Sequence, residues 1–221
     1  MLRSSLFSFI LFFFLQVFAQ QEPYLFVNSS SEMGNRPITS IAKDNNSFLW
    51  VGTYGGGLKK FDGIDVKTYR HDIYEETALS SSIIHDLMID EIGQLWVGSN
   101  DGLHLYNSEK DNFFRFLNNF QGKPIKVHAI ESLDDENVLV GTHQSGLFVV
   151  NYQTKSIIEV ELSRKIEKKN FLIHDIKRDI SNRIWVATNL GLFQFDINDF
   201  LLTRVKVQDQ NSSLLLEKNI L

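Results

Sequence analysis

The sequence has 221 residues, of which 43% are hydrophobic, 22% are charged and none is cysteine. This composition fits one soluble domain with an ordinary core and excludes stabilisation by disulfides. The 22 Lys and Arg residues against 27 Asp and Glu leave a net charge of −5 with no basic stripe, which argues against a nucleic-acid partner because a phosphate backbone is bound by clustered positive charge.

The first residues predict an export signal. Arg3 precedes an apolar run from Leu6 to Phe18, and Val17-Phe18-Ala19 offers small residues for cleavage. The run is shorter than the roughly 20 apolar residues that a membrane-spanning helix needs. We therefore expect residues 1–19 to be a signal peptide and residues 20–221 to be exported, to the periplasm or the extracellular face.

One sequence motif occurs four times along the rest of the chain. The copies are FLWVGTYGGGLKKFD (48–62), QLWVGSNDGLHLYN (94–107), VLVGTHQSGLFVVN (138–151) and RIWVATNLGLFQFD (183–196). In them Trp50, Trp96, Leu139 and Trp185 align, at spacings of 46, 43 and 46 residues. A motif that recurs at a nearly constant period indicates an architectural unit. The glycines before Leu58 are therefore predicted to turn the chain, not to cradle a phosphate.

Each copy is predicted to contain four antiparallel strands. The opening segments alternate apolar and polar residues, which is the period of a strand: ITSIAKD (38–44), IHDLMID (84–90), VHAIESLD (127–134) and IHDIKRD (173–179). The LWVG(T/S) segment that follows is a nearly continuous apolar strand, of the kind buried on both faces. A glycine then permits a tight turn into a third strand. A looser fourth strand completes the unit, as DVKTYRH, NFFRFLNN, SIIEVEL or LLTRVKV.

Four antiparallel strands in about 45 residues, with an aromatic residue in the second strand, are typical of a β-propeller blade. We therefore predict an all-β propeller whose aromatic positions are buried between neighbouring blades. The predicted blades span residues 38–74, 84–120, 127–162 and 173–207.

The propeller is predicted to be incomplete. LEKNIL at 216–221 resembles KKNFLI at 168–173, which precedes the fourth blade, and so predicts the start of a fifth. Propellers hold roughly four to eight blades and leave no long open edge. We therefore expect the chain to be a fragment of a longer protein; the alternative is that four blades close as a small ring.

The pattern I-x-x-I-x-x-D, then L-W-V-G-T, then Gly-Leu and Phe-Asp, closely resembles the two-component regulator propeller repeat. The resemblance covers essentially all of the chain after the predicted signal peptide, with departures at Leu139, which replaces Trp, and Ala187, which replaces Gly. It implies the N-terminal sensor region of a hybrid sensor histidine kinase or a related signalling protein. It also implies a carbohydrate or a breakdown product as ligand and membrane attachment through a downstream segment. Self-association of the full-length sensor is expected for a different reason, since a ligand can signal only by binding one arrangement of the blades or of paired sensors better than another.

Three histidines occupy one position of the repeat. His85, His128 and His174 follow the first apolar residue of successive opening strands, where the first copy has Thr39. Equivalent positions become neighbours around a ring, so three imidazoles could line one rim of the channel and bind a metal ion or an anionic sugar group. The alternative, which we favour, is that a strand end tolerates a polar residue here. The three histidines are weak candidate ligand-binding residues, and the sequence identifies no metal ligand and no cofactor.

Known catalytic motifs are missing from the sequence. It contains no Gly-x-Ser-x-Gly, no His-Glu-x-x-His and no cysteine nucleophile. The His-Asp pairs at 71–72, 85–86 and 174–175 lie in strand-like segments or connections, unlike the helical phosphoacceptor box of sensor kinases. We therefore expect no catalytic residue and a sensing region, not an enzyme, in this chain. The alternatives are a secreted lyase or glycosidase, or a secreted scaffold that binds a partner protein.

Overall fold

The computed structural model describes residues 34–120, 122–162 and 171–205, and all regular structure within these ranges is strand. In chain order the strands are β1 (Ile38–Lys43), β2 (Leu49–Thr53), β3 (Gly57–Phe61), β4 (Val66–Tyr69), β5 (Ile84–Ile89), β6 (Leu95–Ser99), β7 (Gly102–Asn107), β8 (Asn112–Leu117), β9 (Asn119–Phe120), β10 (Lys123–Pro124), β11 (Val127–Ser132), β12 (Asn137–Thr142), β13 (Leu147–Asn151), β14 (Ile157–Glu159), β15 (Glu161–Leu162), β16 (Ile173–Arg178), β17 (Ile184–Thr188), β18 (Gly191–Asp196) and β19 (Leu201–Arg204). A search of these described ranges for a membrane-crossing helix finds none. The predicted signal peptide and the predicted start of a fifth blade lie outside them.

Four of the sheets are arranged as propeller blades, and β9 and β10 pair separately as a two-stranded sheet. Each blade contains four consecutive antiparallel strands, in the orders β1-β2-β3-β4, β5-β6-β7-β8, β11-β12-β13-β14 and β16-β17-β18-β19. The opening strands contact one another in sequence, β1 with β5, β5 with β11, and β11 with β16. Opening strands that line a shared centre while the later strands lie further out are the geometry of a propeller. The predicted all-β propeller of four-stranded antiparallel blades is confirmed.

One connection between blades differs from the prediction. The sequence predicts a single fourth strand over SIIEVEL, but the structure divides it after Glu159. The second part, β15, pairs in parallel with β19 at the outer edge of the fourth blade. Buried Val160 lies between the two parts, and its N–H still bonds to Leu147 O of the third blade at 2.9 Å. An alternation of apolar and polar residues predicts a strand but does not say which sheet the strand joins. The pairing of β15 with the fourth blade therefore could not be predicted from the sequence.

The core consists of three apolar clusters, one at each junction between neighbouring blades. Trp50 and Trp96 are fully buried in the first two junctions, as predicted, and Leu139 takes the same position in the third. Trp185 is only half-buried. It faces away from the third blade, on the side of the fourth blade where none of the described blades lies.

Two apolar faces are left uncovered by the four blades. Leu192 of the fourth blade is 45% exposed, whereas Leu103 at the same repeat position is fully buried. Ile41 of the first blade is 58% exposed, whereas Ile130 at the equivalent position is 2% exposed. Both exposed residues lie where a further blade would pack, so the described blades form an open, incomplete propeller.

The backbone requires the glycine at the start of each third strand. Its φ angle is positive in all four copies, at 85° in Gly57, 126° in Gly102, 94° in Gly146 and 109° in Gly191. L-residues with a side chain rarely adopt this conformation. The predicted turn is confirmed, and the glycine-rich stretch is part of the fold.

A hydrogen bond between a tryptophan and an aspartate holds the inner hairpin of three blades together. The indole Nε1 donates to a carboxylate six residues earlier, from Trp50 to Asp44 (2.8 Å), from Trp96 to Asp90 (2.8 Å) and from Trp185 to Asp179 (2.9 Å). The third blade has Leu133 and Leu139 at these two positions, both buried in the same cluster. The hydrogen bond is thus replaced there by an apolar contact, which explains how Leu139 is tolerated.

We expect Asp90→Ala to lower the free energy of unfolding by about 2–4 kcal/mol, because the buried Trp96 N–H would lose a charged acceptor. The same carboxylate also accepts Gln94 N at 2.7 Å in the turn. Asp134→Ala is the control, since exposed Asp134 binds only turn groups, among them the Asn137 amide; its expected cost is under about 1 kcal/mol. Urea unfolding followed by tryptophan fluorescence measures the stability of both variants. Equal losses of stability in the two variants would contradict a stabilising role for the hydrogen bond from Trp96 to Asp90.

Candidate ligand-binding rim

The histidine position predicted from the sequence is a β-bulge. Each opening strand changes register against its partner after its first residue, so that one residue is extra. The extra residues are Thr39, His85, His128 and His174. A bulge breaks the regular alternation of a strand and re-aims a side chain, often beside a functional site. The shared histidine position therefore has a backbone cause.

A second set of equivalent residues lies at the same end of the blades, in the turn between the second and third strands. These residues are Tyr54, Asn100, His143 and Asn189. Each donates its backbone N–H to the carbonyl two residues before the bulge: Pro37 (2.8 Å), Ile83 (3.0 Å), Lys126 (2.9 Å) and Leu172 (3.1 Å), respectively. We call the end of the blades formed by these eight bulge and turn residues the histidine rim.

The four repeats allow framework positions to be separated from variable ones. The residue before the bulge is always Ile or Val, and the third strand always begins with Gly-Leu. At the histidine rim the backbone bonds are the same in every blade, but the side chains vary, with Thr or His at the bulge and Tyr, Asn or His in the turn. Because the fold does not dictate these side chains, the histidine rim is where one blade can differ from another to recognise a ligand.

Three imidazoles meet where the second and third blades join. The rings of His85 and His128 are 4.3 Å apart, and those of His128 and His143 are 5.2 Å apart. The repeat position predicts His85 and His128 but not His143, which comes from a different segment of the third blade. His174 is exposed, yet close enough for its charge to lower the pKa of His128 and His143.

Burial favours the neutral form of His85, His128 and His143. It lowers the pKa of His128 to about 4, and repulsion from His85, His143, His174 and Lys126 acts in the same direction. Burial also lowers the pKa of His85, against the opposing effect of a hydrogen bond with Asn100. The pKa of His143 is lowered by burial and by the Lys126 charge. Protonating any one of the three rings is unfavourable unless a negative charge is brought to the cluster.

Among the described residues, no group of three or more His, Cys, Asp or Glu side chains is arranged to hold a metal ion. The metal alternative considered for His85, His128 and His174 therefore has no geometric support in this part of the chain. The anion alternative needs only donors and positive charge, which the histidine rim can supply.

The acidic partner in the His85-Asp86 pair has a structural role. Asp86 accepts the Ser40 hydroxyl of the first blade (3.1 Å) and the Ile130 N–H of the third (2.9 Å), as well as its neighbour's N–H at Leu87 (2.9 Å). Burial raises its pKa, and these bonds oppose the rise. A carboxylate engaged by three blades is a poor candidate for acid–base catalysis, because its oxygens are already occupied.

A groove of about 360 Å³ lies at the opposite end of the first two blades. Phe48, Lys60, Gln94 and Tyr106 contribute to its lining. The Lys60 ammonium lies 4.0 Å from the centre of the Phe48 ring, and the buried Gln94 Oε1 has no hydrogen-bond partner among the described residues. This groove is a competing location for a small ligand, although the turns that form it also carry the aspartate–tryptophan bonds.

Comparisons with known proteins agree with the repeat pattern. Residues 32–55 match the family described as two component regulator propeller. The chain is 30% identical over 186 residues to a protein of Formosa agariphila named histidine kinase P4, an alignment that covers 78% of this chain and 13% of that protein.

Solved structures with the same fold include two extracellular domains from B. thetaiotaomicron that are assigned to hybrid two component systems. BT3049 has a TM-score of 0.55 at 16% identity, covering 77% of this chain and 30% of that one. BT4673 has a TM-score of 0.59 at 21% identity, covering 80% and 23%. An ancestral GH74 enzyme has a TM-score of 0.58 at 11% identity, covering 79% and 24%. At these identities the likeness shows the fold alone, and the chain spans less than a third of each of these relatives.

Proposed function

The chain carries the two-component regulator propeller repeat, and on that premise we propose that it is the ligand-sensing region of a signal transduction protein of the hybrid histidine kinase type. The 30% identity with histidine kinase P4 supports this assignment. Because the chain matches only 13% of that protein, we assign no kinase activity to it. The output module would belong to other parts of a longer protein.

Export is part of the same proposal. The structural neighbours from B. thetaiotaomicron are extracellular domains, which fits the signal peptide predicted for residues 1–19. We propose a periplasmic or extracellular location, with membrane attachment through a downstream segment.

The observation that supports the sensing role is that the histidine rim combines a constant backbone with variable side chains. Four blades repeat one backbone framework there, but it carries three different pairs of bulge and turn side chains. The pair is Thr39 with Tyr54 in the first blade, His128 with His143 in the third, and a histidine with an asparagine in the second and fourth. A rigid frame with variable side chains at one end suits recognition of a small molecule. The family resemblance suggests a carbohydrate or a breakdown product.

A bound molecule would signal only by favouring one arrangement of the sensor over another. Self-association of two full-length sensors is the route we propose, because a ligand at the end of the blades can bind paired sensors and separate sensors with different affinity. The two uncovered apolar faces are expected to be occupied by further blades of the longer protein.

A binding screen tests the sensing role. The chain is heated with each member of a panel of neutral and acidic mono- and oligosaccharides. Both the melting temperature of the chain and the amount of unchanged compound are measured. A ligand present at 100 times its Kd stabilises the folded state by about 2.7 kcal/mol, which raises the melting temperature by several degrees. We expect one chemical class to do so and to be recovered unchanged. Consumption of the compound would favour a propeller lyase or glycosidase, and a screen without any stabilising compound would overturn the sensing role.

A further inference from the structure

The histidine cluster contains an unsatisfied buried atom. His85 Nε2 is buried and has no hydrogen-bond partner among the described residues. Buried polar atoms in native structures are nearly always paired, and an exception often marks the place of a missing water, ion or ligand. This atom lies on a ring 4.3 Å from His128, within the three-imidazole cluster.

The groups that surround the cluster are donors and cations. Lys126 and the histidines repel a proton on the rings of His128 and His143, and the Asn100 side chain hydrogen-bonds His85. The histidines and Asn100 come from the opening strands of the second, third and fourth blades and from two of the rim turns, and Lys126 directly precedes β11. The charges that lower the pKa of these rings belong to Lys126 and to other histidines.

The nearest acidic residues along the chain are engaged elsewhere. Asp86 follows His85, but its carboxylate accepts the backbone N–H groups of Leu87 and Ile130. Asp175 follows His174, and its carboxylate accepts Ile176 N and pairs with Lys177 at 3.3 Å. The cluster therefore contains nitrogen donors, and neither of these two neighbouring carboxylates is free to pair with them.

We propose that the histidine rim between the second and third blades binds a carboxylate-bearing small molecule, with uptake of a proton by the His85–His128–His143 cluster. This inference rests on the proposed sensing function and names the chemistry of the ligand. A carboxylate offsets the repulsion that keeps the rings neutral, and each protonated ring then donates a charge-assisted hydrogen bond. The Lys126 charge, which acts on all three rings, also favours a carboxylate at this place.

Proton uptake fixes the direction of the pH dependence. When binding takes up one proton, the affinity rises as the pH falls, by at most about tenfold per pH unit. The rise begins below the pKa of the histidine in the complex and ends near its pKa in the free chain, about 4 for His128. We therefore expect the affinity to be at least about fivefold higher at pH 5.5 than at pH 7.5.

The test compares D-glucuronate with D-glucose, two ring compounds that differ by the carboxylate. Each is titrated into the chain at pH 5.5 and 7.5 at constant ionic strength, with binding and histidine ring shifts followed by NMR. We expect glucuronate to bind at least about tenfold more tightly than glucose, a difference that one charge-assisted contact can supply, and to raise the pKa of a ring in the cluster. His128→Gln and His143→Gln should remove the pH dependence. His71→Gln, outside the cluster, should leave it unchanged, and circular dichroism confirms that each variant is folded.

Two outcomes overturn the inference. Equal, pH-independent binding of glucose and glucuronate would show a ligand site without the proposed proton uptake, and the sensing function would stand. Failure of glucuronate to bind or to shift any histidine ring, while another compound stabilises the chain in the screen, would likewise reject the carboxylate and keep the sensor.

Discussion

Gly141→Ala is expected to lower the free energy of unfolding by about 3 kcal/mol, although it adds only one methyl group. Gly141 lies in the second strand of the third blade, where the opening strand of the fourth blade packs directly against it. A Cβ atom at this position would lie 2.5 Å from Ile173 Cγ2 and 3.1 Å from Ile173 Cβ and Ile176 Cδ1. Ile173 is fully buried, and its branched side chain has no space into which to move. The two blades would have to separate locally, which opens gaps elsewhere in their junction.

The fourth copy of the repeat supplies the matched control. Ala187 occupies in the fourth blade the position that Gly141 has in the third. None of the described blades packs against this side of the fourth blade. Ala187→Gly should therefore change the free energy of unfolding by less than about 1 kcal/mol. Urea unfolding followed by tryptophan fluorescence measures both variants. A small effect of Gly141→Ala, equal to that of Ala187→Gly, would contradict the close packing of the third and fourth blades.

Acidification from pH 7 to pH 4 is expected to destabilise the chain by about 3 kcal/mol through His104 alone. His104 is fully buried in the third strand of the second blade. Its Nε2 accepts the backbone N–H of Ser80 at 3.0 Å, which ties the connection from the first blade to the second. Burial lowers the pKa of His104 to about 4, and a weak hydrogen bond with Val97 O only partly opposes this.

The sign of the pH effect follows from the direction of the pKa shift. Between the ordinary value of 6.5 and about 4, the unfolded chain binds a proton that folded His104 does not. Stability from this residue is therefore complete above pH 6.5 and is lost as the pH falls toward 4. His128 acts in the same direction, but it is only half-buried, so solvent reduces its contribution.

Urea unfolding between pH 7.5 and 4.5 tests the role of His104. His104→Gln keeps a hydrogen-bond acceptor but cannot titrate, so the fall in stability over this pH range should shrink by about 2–3 kcal/mol. His71→Gln, at an exposed position, should leave the fall unchanged. A His104→Gln chain that is as acid-sensitive as the original would show that other groups cause the effect.

The blades could be predicted because the sequence repeats. Four copies of the same alternation, turn glycine and tryptophan position are consistent evidence for one unit, and the third copy shows that Leu133 with Leu139 can replace an Asp–Trp pair. The change of blade by β15 could not be predicted, since Glu161 and Leu162 continue the local alternation and only their distant partner β19 distinguishes the two pairings.

The candidate site could be predicted in part. His85 and His128 were found because a repeat position that recurs in neighbouring blades becomes a neighbour in space. His143 and Asn100 were missed because antiparallel pairing brings them to the histidine rim from a different segment. A usable signal was present, since both residues directly follow the LWVG(T/S) segment in their copies. The fully buried His104 was also missed, because its position holds Lys59 in the first blade and apolar Phe148 and Phe193 in the last two.

Hydrogen–deuterium exchange with and without the most stabilising compound of the screen tests the location of the sensing site most directly. We expect protection at the opening bulges around His85 and His128 and in the turns at Asn100 and His143. Protection confined to the opposite groove, at Phe48, Lys60 and Gln94, would contradict the histidine rim as the site of recognition.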